Sequence, residues 1–137
     1  MNDLEIQGKK LYTPLQIFFG SLFFGPFFML YLLWKNFYVI GKFVEAKKVI
    51  NYGSIFIVIL VTCLQLAPNA INPLIPGLVI PFLYALVALQ ISTSLQLNKA
   101  QILDSQSFSP HQIWVILGYG VIFYIPWIAT SFLMQYL

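Results

Sequence analysis

The sequence predicts an all-α, integral membrane four-helix bundle with proline-kinked transmembrane helices. Three observations carry this. Of 137 residues, 60% are apolar and 18% aromatic while only 8% are charged, outside the range of ordinary soluble domains. Four apolar stretches, over residues 15–34, 49–67, 74–91 and 113–137, approach the roughly 20 residues of helix that a bilayer core requires. No ten-residue alternating pattern suggests barrel strands, so helices must satisfy the backbone in lipid. The expected spans are about 14–36, 46–67, 73–94 and 110–135, forming one domain over residues 1–137.

The first span begins at Thr13, whose hydroxyl is placed to accept from the Gln16 amide while Gln16 reaches back, with Pro14 at the first helical position. Gly41 is suited to a left-handed helix end, so this helix extends to about residue 40 and the second begins near 43. The connection over 68–72 reads as a tight uncharged turn, with Asn72-Pro73 starting the third span. Residues 92–112 form the one sizeable polar loop. Ser109-Pro110-His111-Gln112 repeats the opening grammar of Thr13-Pro14-Leu15-Gln16, which is generic helix-start chemistry and no evidence of duplication. Tyr12, Trp34, Tyr38, Tyr52 and Trp114 fall at span boundaries, where aromatic belts lie.

With four spans, loops 35–48 and 92–112 share one side and carry five lysines against two elsewhere, which predicts that they are cytoplasmic and both termini external. A rival folds the first stretch back on itself at Gly25-Pro26, gathering all seven lysines on one side.

Composition also excludes functions. The charge of +3 rests on lysine alone, with no arginine and no basic stripe, so nucleic acid is not an expected partner. The four apolar stretches contain no Asp, Glu, Lys or His, removing the usual machinery of proton-coupled transport. Asp3, Glu5, Glu45 and Asp104 are scattered through tail and loops. Cys63 sits deep in an apolar run, away from His111, so neither a nucleophile–base pair nor a metal site is expected. The reading is non-enzymatic, without a cofactor.

Pro26, Pro81 and Pro126 each remove a backbone hydrogen bond near mid-depth, freeing carbonyls of Leu22, Gly77 and Ile122. Tyr84 and Tyr124 place hydroxyls at comparable depth. Gly25, Pro26, Pro81, Tyr84, Tyr124 and Pro126 are therefore the candidate residues, either satisfying kinks or lining a midplane site as broken transporter helices do. Ser21 and Gly25, with Ala85, Ala88 and Ser92, provide small surfaces for close helix contact.

The stretch LYTPLQIFFGSLFFGPFFMLYLLWKNFYVIGK resembles the opening of an uncharacterised family of small bacterial multi-pass membrane proteins. There a Ser/Thr-capped helix runs through Gly-Gly-Pro to a Tyr-Leu-Leu-x-x-Asn-Phe-x-x-x-Gly ending. Tyr31-Leu32-Leu33, Asn36-Phe37 and Gly41 match, while Phe24 replaces the first glycine, narrowing any close backbone approach at the break. The resemblance implies a bacterial cytoplasmic (inner) membrane location and supplies no particular activity. The lipid bilayer is the expected surround, and helix–helix contact with itself or another membrane protein the expected mode of action. A small transporter or channel subunit and an immunity protein against a pore-forming bacteriocin are the alternatives.

Overall fold

The opening cap forms as its chemistry requires. In the computed structural model, which describes residues 9–66, 75–97, 99–105 and 108–135, Gln16 N donates to Thr13 Oγ1 at 3.3 Å and Thr13 N donates to Gln16 Oε1 at 2.9 Å. With Pro14 in the first turn, this starts helix α1, Pro14–Phe24.

The single helix expected over 14–36 does not form. Gly25 takes φ 88° and ψ −179°, a conformation essentially restricted to glycine, and Pro26 opens a second helix, α2, Pro26–Ile40. Asn36 near the end of α2 then binds both main-chain polar groups of Tyr12: Tyr12 N donates to its Oδ1 at 2.9 Å, and its Nδ2 donates to Tyr12 O at 2.7 Å. The far ends of both helices thus lie side by side, and α1 and α2 form a helical hairpin. At Gly20 a Cβ would stand only 2.8 Å from Leu32 Cδ1 and 3.0 Å from a Phe28 ring carbon, so glycine lets the two arms close.

The end of α2 agrees with expectation. Gly41 is left-handed (φ 86°, ψ 9°), Lys42 N donates to Phe37 O at 2.9 Å, and helix α3 runs Phe43–Leu66. The 68–72 turn and the Asn72-Pro73 start lie outside the described residues. The third expected span begins with a π-helical turn, Ile75–Val79, and continues as α4, Ile80–Leu95. A short helix α5, Lys99–Asp104, occupies part of the polar loop.

Strand β1, Lys9–Leu11, pairs in parallel with β2, Phe108–Pro110, placing Leu11 opposite Pro110. Ser109-Pro110 is therefore strand and not a helix cap. His111 N donates to Leu11 O at 2.9 Å, and the last helix, α6, starts later than expected and spans Ile113–Gln135. The local cap grammar lost to pairing with a segment about a hundred residues earlier.

Among the described residues, 43–66, 77–95 and 113–133 form three helices long and apolar enough to cross a membrane; Pro14–Phe24 is shorter. The hairpin lies among them. α1 packs on α4 and α6, and α2 packs on α3, α6 and, less extensively, α4. The interior is built mainly from hairpin side chains, with Ile17, Phe28 and Leu32 fully buried and Leu33 nearly so. Glycine notches receive them: Leu30 occupies the space a Gly53 side chain would need on α3, and Phe24 does the same at Gly120 on α6. The extra bulk of Phe24 is thus taken up by a notch in the facing helix. The buried residues of α4 include Ala85, Ala88 and Ser92, the small surface expected to make a close helix contact.

One end of the molecule is tied together by polar bonds. Asn36 reaches Gln96, Lys42 Nζ donates to Leu95 O at 2.6 Å, and the β1–β2 ladder holds residues 9–11 beside 108–110. Six of the seven lysines lie in or next to these tied segments or within the first two turns of α3, and Lys99 opens α5.

Candidate functional site

The prolines occupy three different settings. Pro26 is the first residue of α2, where a missing N–H leaves no helical bond unmade. Pro81 is the second residue of α4, one residue past the π turn, which absorbs the change in hydrogen-bond register. Of the three, Pro126 alone lies inside an α-helix, α6. The three prolines are therefore not equivalent: Pro26 opens a helix, Pro81 sits at the π–α junction within the helical run 77–95, and Pro126 is interior to α6.

Gly25, Pro26 and the Pro126 region do come together. A Cβ on Gly25 would stand 3.2 Å from Trp127 Cγ, and Phe27 meets the Trp127 ring edge-on at 6.2 Å. Tyr84 is elsewhere, buried beside α3 with its ring 6.4 Å from that of Phe56. Tyr124 is 41% exposed on α6. Among the described residues, neither phenol hydrogen-bonds to a main-chain carbonyl. The six candidates do not converge on one polar midplane pocket.

A well-formed concavity lies instead between α2, α3 and α4. Its volume is about 790 Å³, within the range of small-molecule pockets. α2 forms its floor through Met29, Leu30 and Leu33, while α3 and α4 form its walls. The two walls are each held by the hairpin and leave the space between them open. The lining is almost wholly apolar. Polar groups occur at one end, from Glu45, Lys48 and Tyr52, and farther in, from Tyr84. Neither Glu45 nor Lys48 forms an ion pair among the described residues.

A second feature is an uncharged polar cluster that locks the hairpin to α4. Asn36 Nδ2 donates to Gln96 Oε1 at 3.1 Å, Ser92 Oγ donates to the same oxygen at 3.2 Å, and Gln96 Nε2 donates to Leu33 O at 3.0 Å. Asn36, Ser92 and Gln96 are all buried, so each bond replaces one that water cannot supply. The sequence puts Asn36 at the end of an expected span and marks no role for Gln96. Their isolation as amides beside apolar runs was the available signal.

No protein-family model, curated protein or solved structure matches this chain. The chemistry open to the arrangement must therefore be read from its own residues. Among the described residues, no three His, Cys, Asp or Glu side chains gather as metal ligands.

His111 packs against the start of α1. Its ring stacks on Tyr12 at 4.1 Å, its carbonyl accepts from Gln16 Nε2 at 2.7 Å, and its Nδ1 is buried without a hydrogen-bond partner among the described residues. Tyr12, expected at an aromatic belt, is instead a core residue at 1% exposure. Burial, then the positive charges of Lys10 and Lys35, lower the His111 pKa below its ordinary 6.5. The unfolded chain thus binds this proton more readily, so stability from neutral His111 is present above pH 6.5 and is lost as pH falls from there through the lower folded value. Thermal unfolding in detergent should show a midpoint that falls on acidification through this window, and His111→Gln should flatten that dependence.

Proposed function

We propose that the chain is a non-enzymatic multi-pass protein of the bacterial cytoplasmic membrane, with three spans around a re-entrant hairpin, acting by intramembrane contact with a second copy or another membrane protein. The observation that carries this is the exposure of α6. Only 11% of its apolar window is buried, so nearly the whole helix presents hydrocarbon outward. On one face, at spacings of four, three and four residues, Gly118, Ile122, Ile125 and Ala129 are all exposed. A side chain added at Gly118 would meet nothing within 4 Å. Small residues at the two ends of such a face permit close approach of another helix.

The lysine distribution supports the orientation. Folding back at Gly25 brings residues 9–12 to the same end as residues 35–48, 92–97 and 108–112, and gathering lysines at that end favours a cytoplasmic placement under the positive-inside rule. The end of α3 at Leu66 and the end of α6 at Gln135 then face outward.

A photoreactive residue at position 118 or 129, activated in cells, tests the contact. The expected result is one discrete adduct from both positions and none from position 83 on α4. Absence of an adduct from 118 and 129, or the same adducts from all three positions, contradicts the α6 contact.

A further inference from the structure

We infer that the cleft between α2, α3 and α4 is a binding site for one phospholipid of the cytoplasmic leaflet, with a zwitterionic amine headgroup at Glu45 and Lys48 and its hydrocarbon along the apolar slot. The inference rests on the membrane placement proposed above but not on the α6 contact, which involves a different helix.

The first argument is shape. From Glu45 to Leu60 the lining of α3 rises about 22 Å at 1.5 Å per residue. That length exceeds half of a hydrocarbon core about 30 Å thick by roughly one headgroup layer. Spread over it, 790 Å³ corresponds to a section of about 36 Å². One or two extended hydrocarbon chains can lie along a slot of this length and volume. The lining matches an acyl chain as well. Leu33, Leu60 and Val87 are among its apolar walls, and a slot of this kind left without contacting atoms would lose the dispersion attraction that packed interiors gain.

The second argument is charge. The polar end carries one carboxylate and one ammonium, three residues apart on one helix and free of ion pairs among the described residues. A phosphate meets its complement in Lys48, and an amine on the same headgroup meets Glu45. A purely anionic lipid would bring its charge against the Glu45 carboxylate, so the pair discriminates between headgroups. Lys42, bound to the Leu95 carbonyl, closes the slot at this end, since Leu95 is also part of its lining.

The test is native mass spectrometry of the full chain released from nanodiscs containing equal amounts of phosphatidylethanolamine and phosphatidylglycerol. One phosphatidylethanolamine per chain is expected to survive gentle activation. Glu45→Gln should reduce the preference over phosphatidylglycerol by about fivefold, the upper end for an exposed charge pair. Lys48→Gln should reduce retention of both lipids. Val87→Trp fills the slot from a position that is 58% exposed, so the protein should fold with an unchanged thermal midpoint yet retain no lipid. Wild type without a retained lipid overturns the inference. So does retention with no headgroup preference that Val87→Trp leaves intact, which is the behaviour of loosely surrounding lipid. A photoreactive residue at position 87 that captures another protein's helix instead of lipid also overturns it. Release of the protein from membranes by alkaline carbonate, without detergent, would instead defeat the membrane placement on which the site depends.

Discussion

Replacement of Asn36 by leucine should cost about 3 to 5 kcal/mol, the largest effect of any single polar change in the interior. Leucine keeps the branched shape but its methyls are bulkier than the amide groups they replace, so lost hydrogen bonds and crowding act together. Asn36 is 1% exposed and uses its oxygen on Tyr12 N and its nitrogen on Tyr12 O and Gln96 Oε1. Tyr12 is equally buried, so its N–H and carbonyl would be left without water as well as without protein. Each such orphan costs about 1 to 3 kcal/mol, while Gln96 keeps its bond from Ser92. Equilibrium unfolding in mixed micelles measures the change. A loss below about 1 kcal/mol would show that the hairpin ends are held by something else.

Gly25→Ala should cost about 2 to 4 kcal/mol by a different route. The positive φ with extended ψ is a region that side chains rarely adopt, with a strain of about 1 to 3 kcal/mol. The new methyl also meets the Trp127 indole at 3.2 Å, which must shift. Pro26→Ala provides the contrast. Were residues 14–36 one kinked span, that change would restore the bond to the Leu22 carbonyl, straighten the helix and leave or raise stability. In the hairpin, Pro26 only stiffens the first position of α2, so its loss should destabilise by less than about 1 kcal/mol. The same unfolding assay separates the cases: a large loss for Gly25→Ala with a small loss for Pro26→Ala supports the turn, and a stabilising Pro26→Ala contradicts it.

The features legible in the sequence were those decided within a few residues. Thr13 and Gln16 are three apart, and Gly41 ends its helix through bonds reaching only to Phe37 and Tyr38. The fold-back was not legible in this way, because two antiparallel arms around Gly25-Pro26 have the composition of one span and hydropathy does not record direction. The contact that decides it joins Asn36 to Tyr12, 24 residues apart. Ser109-Pro110 failed for the same reason: its cap chemistry is sound locally, and a strand at Lys9–Leu11 claimed it.

For the site, Tyr84 was recognisable as a phenol among apolar residues, but as a partner for freed carbonyls. Its place in the cleft depends on how far α3 stands from α4, which no periodicity encodes. Glu45 and Lys48 read as ordinary interfacial charges. Only the cleft between the helices gives them a common neighbour. The lysine count changes meaning for a related reason, since a five-to-two division between two sides becomes seven on one side once the first stretch folds back.

That fold-back is the central claim, and the side on which Lys10 lies tests it most directly. In a Cys63→Ser background, single cysteines at positions 10, 42, 99 and 135 can be labelled with an impermeant thiol reagent in sealed vesicles of each orientation. Three spans around a hairpin predict that positions 10, 42 and 99 label together from the cytoplasmic face and position 135 from the opposite one. Labelling of position 10 from the face opposite to 42 and 99 would mean that residues 14–36 cross the membrane, and would contradict the hairpin.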